Sequence, residues 1–284
     1  MSIRQEDLIQ SVADALQYIS YYHPVDYIRS LSAAYEREQS PAARDAIAQI
    51  LINSRMCAEG HRPICQDTGI VTVFLEIGMG VRWDDATMGV EDMVHEGVRR
   101  AYNHPDNKLR ASIVADPQFT RRNTKDNTPA VIHTEIVPGD VFRLTVVPKG
   151  GGCENMTKFQ VMLPGRGKAG ITEFVLNTIE ESGGNPCPPL VVGVGVGGSA
   201  EYCMLLAKKA ITRQVGEHSP DEETAQFERE LLEKVNALGV GPQAVGGSNT
   251  AMAVNIETYP THITSLPVAV NLQCHSARSK SAEL

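Results

Sequence analysis

The chain has 284 residues, 21% of them charged, and a formal net charge of −8, with an isoelectric point near 5.5. That length buries a good core, and the acidic balance, with basic runs no longer than Arg121-Arg122, argues against a nucleic-acid or membrane-surface role. No apolar stretch is long enough to span a bilayer, the start has no secretion-signal pattern, and six cysteines are too sparse for a disulfide framework, so a reducing cytoplasm is expected.

Residues 1–60 read as helices. Leu8-Ile9, Val12, Ala15-Leu16 and Ile19 recur at helical spacing, as do Ala43, Ile47 and Ile50-Leu51. His23-Pro24 breaks the first helix from the second, and Ser40-Pro41 offers a third helix a cap with proline in its first turn. From Ile70 the run Val71-Thr-Val-Phe-Leu-Glu-Ile predicts a strand, and residues 84–102 a helix with Met88, Val90, Met93, Val98 and Ala101 on its apolar side.

Two strand-like runs follow, at 130–137 and 141–147, and Pro138-Gly-Asp between them predicts an antiparallel hairpin. After a loop at Lys149-Gly-Gly-Gly-Cys-Glu-Asn come a helix at 170–182, a short strand at Leu190-Val-Val, and helices at 199–212 and 221–238. A last strand at 267–273 runs into Cys274. The order implies an α+β fold: a helical N-terminal part, then mixed or antiparallel sheet with packed helices. No repeat or linker marks a boundary, so residues 1–284 are expected to be one domain.

Two glycine runs need weighing. Gly193-Val-Gly-Val-Gly-Gly fits the dinucleotide pattern G-x-G-x-x-G and would suit a nucleotide-binding oxidoreductase. Against that, Pro186-Cys-Pro-Pro leaves about four residues for the strand and repeating βαβ units are missing, so the alternative is close helix–strand packing. Lys149-Gly-Gly-Gly is not a P-loop, because the lysine precedes the glycines. The run still lets backbone N–H groups approach an anion, a carboxylate as well as a phosphate, with Lys149 adding charge.

Cys57 and Cys203 fall inside helical patterns and are assigned to packing, while Cys153 is ambiguous. Cys65, Cys187 and Cys274 sit in loop-like sequence far apart, which rules out a local zinc knuckle. They are either small apolar fillers or the ligands of a site assembled by folding. Three thiolates can hold three irons of a 4Fe–4S cluster and leave the fourth open as a Lewis acid, which suggests hydro-lyase chemistry rather than electron transfer. An iron–sulfur sensor is the other class, but no DNA-binding or signalling segment accompanies the cysteines.

Five motifs carry more together than singly: Pro63-Ile-Cys-Gln-Asp-Thr-Gly, Lys149-Gly-Gly-Gly-Cys-Glu-Asn, Asn185-Pro-Cys-Pro-Pro, Gly239-Val-Gly-Pro-Gln-Ala-Val-Gly-Gly and Pro260-Thr-His-Ile-Thr-Ser-Leu-Pro. In this order the chain resembles the class I, iron–sulfur-dependent fumarate hydratases and the related L-tartrate dehydratases. The resemblance implies a 4Fe–4S cluster on Cys65, Cys187 and Cys274, with Gln66 and Asp67 beside the open iron. It also implies that Arg110 takes a substrate carboxylate, that the Gly152 backbone meets the substrate and that His262 is an active-site histidine. His262 and Asp67 are the candidates for proton transfer, and Lys149 joins Gln66, Arg110 and Gly152 in binding substrate.

The implied reaction is hydration of fumarate to L-malate, with dehydration of L-tartrate to oxaloacetate as the alternative. Two departures bear on the substrate. Pro260-Thr-His-Ile stands where the single-chain enzymes have Pro-Arg-His-Gly, so the substrate rim differs. Gly-Gly-Gly-Cys153 stands where the fumarases have Gly-Gly-Gly-Ser, as in tartrate-type sequences. The chain ends ten residues after Cys274, like the α subunit of two-subunit members, so a β subunit is expected to complete the site, in an α2β2 assembly.

Overall fold

A computed structural model describes residues Met1–Leu284. In chain order the elements are β1 (Ser2–Ile3), α1 (Gln5–Tyr21), α2 (Val25–Arg37), α3 (Pro41–Gly60), β2 (Ile70–Gly78), β3 (Arg82–Trp83) and α4 (Val90–Tyr102). Then come β4 (Val114–Ala115), β5 (Arg122–Asn123), β6 (Val131–Val137), β7 (Phe142–Lys149), α5 (Gly151–Glu154), β8 (Lys158–Met162), α6 (Gly167–Ser182) and β9 (Leu190–Gly197). The chain finishes with α7 (Ala200–Ala210), α8 (Glu222–Ala237), β10 (Ala251–Tyr259), β11 (Leu266–Gln273) and β12 (Lys280–Glu283). The fold is α+β. No helix is long and apolar enough to cross a membrane.

The residues form two compact units, each drawn from separate stretches of chain. The first comprises residues 1–23, 54–151 and 278–284, the second 24–53 and 152–277. In the first unit a four-stranded sheet, ordered β12-β7-β2-β6, carries α1 and α4 on one face. Leu8, Val12 and Leu16 of α1 and Met93, Val94 and Val98 of α4 close over Val73, Leu75, Leu144 and Val146 of the sheet. At the helix crossing a Cβ on Gly97 would stand 2.6 Å from the Val12 Cβ, so glycine is what lets the backbones approach.

The expected hairpin at 130–147 is not formed. β6 pairs with β2 in parallel and β7 pairs with β2 antiparallel, so β2 lies between them. Val71, Val73 and Leu75 make β2 the strand with most to gain from a central place, whereas β6 is largely exposed and takes the edge. The helix expected over 84–102 starts only at Val90. Asp85 Oδ1 accepts from the Gln5 N–H at 2.7 Å and the Thr87 N–H donates to Gln5 Oε1 at 2.9 Å. Residues 85–87 therefore cap the start of α1, and Gly89 caps α4.

The second unit has a sheet ordered β10-β9-β11-β8, with β9 and β10 parallel and β11 antiparallel to β9 and β8. β9 alternates: Leu190, Val192 and Val194 enter a core with α6 and α8, and Gly193 and Gly195 face α7. A Cβ at 193 would lie 2.1 Å from the Ala207 carbonyl oxygen, and one at 195 just as close to that of Cys203. The glycine run is thus the second half of an eight-residue strand pressed against a helix, and the short strand expected at 190–192 is too short. β10, absent from the sequence reading, pairs along the whole of β9.

Candidate functional site

In the first unit, Ile70 at the start of β2 pairs with Lys149 at the end of β7. The register brings the loop carrying Cys65, Gln66 and Asp67 against the turn at Gly150 and Gly151. Asp67 binds both sides: Oδ1 accepts from the Gly69 N–H at 3.1 Å and Oδ2 from the Gly151 N–H at 2.7 Å. Gly69, at φ +83, is pressed against Lys149, where a Cβ would lie 2.6 Å from the carbonyl carbon, and a Cβ on Gly150 would lie 3.0 Å from Asp67 Oδ2. The exposed Arg110 reaches Gln66 Oε1 through Nη1 at 3.4 Å, and its carbonyl accepts from the Thr68 hydroxyl. Gln66, Asp67, Arg110 and the glycine turn therefore share one place. Lys149 is fully buried at the strand end.

Sequence reasoning missed what supports this loop. Tyr102, at the end of α4, donates from its hydroxyl to the Thr68 carbonyl at 2.7 Å. Burial pushes its phenol up to about 12, against the lowering influence of Arg278. Arg278 is itself 2% exposed, and its Nη2 lies 3.8 Å from where a Gly150 Cβ would be. An arginine four residues after Cys274 was visible in the sequence, but nothing there announced that it is buried.

In the second unit Cys187 is exposed and Cys274 buried. The His275 N–H donates to the Cys187 carbonyl at 3.1 Å, joining the two cysteine segments at the backbone. Gly152 belongs to this unit and lies against the Asn185 carbonyl, 2.9 Å from its own missing Cβ. Cys153 is buried, with Sγ 3.8 Å from Gln273 Oε1. His262 is exposed in the loop between β10 and β11, where Nδ1 accepts from the Thr264 N–H at 3.2 Å and contacts the Thr264 hydroxyl at 2.8 Å. The whole of β11 separates His262 from Cys274, about 25 Å at strand rise. The structure therefore brings Cys187, Cys274 and Gly152 together and leaves His262 at the opposite end of the sheet.

The thiols differ in their surroundings. Burial raises Cys57 above the ordinary thiol value and pushes Cys203 up to about 11, so both are inert packing groups. Cys65, Cys187 and Cys274 have polar groups beside sulfur or on their backbone. The Asp67 N–H donates to Cys65 Sγ at 3.4 Å, and Cys274 Sγ is 2.9 Å from the Ser276 hydroxyl. Cys65 lies in the first unit and Cys187 and Cys274 in the second, and no three His, Cys, Asp or Glu side chains are gathered as a metal-holding group. What fits an iron–sulfur cluster is the chemistry of the donors: soft sulfur on loops, each of the three in hydrogen-bond contact with a polar neighbour.

A family model described as fumarate hydratase (fumerase) matches residues 9–283. A Methanocaldococcus jannaschii protein provisionally named L(+)-tartrate dehydratase subunit alpha is 38% identical over 272 residues, 94% of this chain and 94% of its own length. The L(+)-tartrate dehydratase subunit alpha of Escherichia coli strain K12 is 30% identical over 272 residues, 95% of this chain and 88% of its own. The protein of that name from Shigella boydii matches to the same extent.

Proposed function

We propose, from the premise that this chain belongs to the fumarate hydratase family, that it is the α subunit of an L(+)-tartrate dehydratase, acting with a β subunit in an α2β2 assembly. The observation that carries this reading is the similarity, over nearly the whole chain, to relatives named as L(+)-tartrate dehydratase α subunits. Cys153, in the place where the resemblance gave tartrate-type sequences a cysteine, supports it. The family model's description favours a second reading, fumarate hydration to malate. Either way the substrate is a four-carbon dicarboxylate and the reaction a hydro-lyase step. Closed symmetry favours α2β2 over a lone αβ pair, and six free cysteines suit a reducing cytoplasm.

Cys65, Cys187 and Cys274 would hold a 4Fe–4S cluster. When bound, the cluster supplies a Lewis-acidic iron for the departing hydroxyl. The remaining work falls to the chain's own groups. Arg110 offers a two-point guanidinium contact to one carboxylate, and Gln66 beside it a polar contact. The Gly152 backbone, with the charge of Lys149 at the end of the preceding strand, favours the negative charge that develops when the proton next to a carboxylate is removed. Asp67 is the group placed to take that proton. His262, a strand length from Cys274, serves only a site that another chain helps to build.

The test is anaerobic assay of the chain co-expressed with its β subunit, following oxaloacetate formed from L(+)-tartrate and fumarate formed from L-malate. Tartrate turnover exceeding malate turnover is the expected result. Faster malate turnover transfers the assignment to the second reading, and turnover of neither refutes both.

A further inference from the structure

Three consecutive carbonyls run through the Cys187 loop, and each is held from a different part of the second unit. The Cys187 carbonyl accepts from the His275 N–H at 3.1 Å. The Pro188 carbonyl accepts twice from one residue, at 2.9 Å from the Gln243 backbone N–H and at 2.7 Å from its side-chain Nε2. The Pro189 carbonyl accepts from the Tyr27 hydroxyl at 3.0 Å. Prolines donate no N–H, so Pro186, Pro188 and Pro189 leave the segment few donors with which to organise itself. Cys187 also sits at φ +54, a conformation that a residue with a side chain keeps only when its surroundings fix it.

The residues that hold these carbonyls are themselves costly to place. Gln243 and Ala244 have φ of +51 and +59, and a Cβ on Gly241 would fall 1.7 Å from the Gly246 carbonyl oxygen. Behind the turn the buried Glu38 carboxylate accepts from the Ser248 N–H at 3.0 Å, the Ser248 hydroxyl at 3.1 Å and Asn249 Nδ2 at 2.6 Å. Two adjacent strained residues persist where the surroundings over-determine them, and what this turn delivers is the double hydrogen bond to Pro188. Tyr27 is 1% exposed. Its hydroxyl is therefore held in the interior, against the Cys187 segment.

We infer that Gln243 and Tyr27 are positioning residues for the Cys187 thiol, acting through the backbone of the loop, and that the turn at residues 239–247 serves to present Gln243. The inference rests on the proposed reading of Cys187 as a cluster ligand.

The test uses the full chain with Gln243→Ala and Tyr27→Phe. Asp221→Ala is the control, because Asp221 Oδ2 accepts from the Thr224 N–H at 2.8 Å at the start of α8 and touches neither the Cys187 loop nor β9. In the metal-free chain, hydrogen exchange of the peptide spanning residues 183–192 is expected to quicken in the first two variants and not in the control. After anaerobic reconstitution with iron and sulfide, the first two variants are expected to lose iron to a chelator roughly tenfold faster than wild type, with an altered paramagnetic spectrum of the reduced cluster. The control keeps wild-type values. Unchanged exchange in that peptide overturns the inference, as does iron loss no faster than in the control. If the wild-type chain takes up no iron, the functional reading fails, and the exchange contrast alone decides whether Gln243 and Tyr27 position the loop.

Discussion

Gly195→Ala separates the two readings of the glycine run on β9. Its added Cβ would lie 2.1 Å from the Cys203 carbonyl oxygen and 2.7 Å from the Ala207 N. Ordinary contact begins at 3.4 Å, so α7 has to retreat by about 1.3 Å or the strand has to bow away from it. Both atoms are helix backbone, so no side-chain rotation relieves the clash. Overpacking of a well-filled core costs about 1–3 kcal/mol, and with Cys203 and Ala207 fully buried around the site the upper end applies. About 3 kcal/mol corresponds to a fall in melting temperature of roughly 6–12 °C for a domain of this size. Thermal unfolding followed by circular dichroism measures it, with Gly165→Ala as the control, since nothing lies within 4 Å of a Cβ there. A Gly195→Ala protein melting with the control would refute the packing argument and restore a nucleotide role to the run.

Further outcomes follow from the same geometry. Burial raises the Glu38 pKa, but hydrogen bonds from Ser40, Asn249 and Ser248 outweigh it and hold the carboxyl below its ordinary 4.5. Its stabilisation is therefore complete above that value and lost as pH falls through the lower folded one. Glu38→Gln should lose about 1–3 kcal/mol at neutral pH in urea unfolding, and a deficit that does not shrink in acid contradicts the assignment. Arg110→Lys should raise KM for the dicarboxylate several-fold and leave kcat near wild type; steady-state kinetics showing the reverse would remove Arg110 from substrate binding. Serine at Cys65, Cys187 or Cys274 should abolish iron binding measured by colorimetric assay, whereas Cys203→Ser should keep it and cost about 1 kcal/mol. Asp67→Asn should lower kcat by roughly 10²–10⁴-fold if Asp67 moves the proton, and turnover close to wild type would exclude it.

The sequence was most legible where one face of an element is apolar. Leu8, Val12 and Leu16 announced α1, and Ser40-Pro41 marked the start of α3 to the residue. It was least legible where partners are chosen at long range. Nothing in Pro138-Gly-Asp says that β2, many residues earlier, lies between the strands it joins. The alternation of β9 was hidden because its inward residues on one face are glycines, which carry no hydrophobic signal. Within the site, Gln66, Asp67 and Arg110 were readable together by resemblance, and the structure brings them into one place. Tyr102, Arg278 and Gln243 were not, since their roles are carried by backbone carbonyls and burial.

Asp67 shows how position and chemistry combine in such a site. Each carboxylate oxygen has two lone pairs, and the Gly69 and Gly151 N–H groups occupy one on each. The side chain thereby ties the Cys65 loop to the glycine turn and still has capacity to accept a proton, in an orientation fixed before substrate arrives. Pre-set orientation is what a general base needs. The same two bonds mean that Asn in its place sets an amide against an N–H on one side, so it disturbs the turn as well as the proton transfer. Asp67 therefore ties the Cys65 loop to the glycine turn, and any substitution there tests the tie and the proposed proton transfer together.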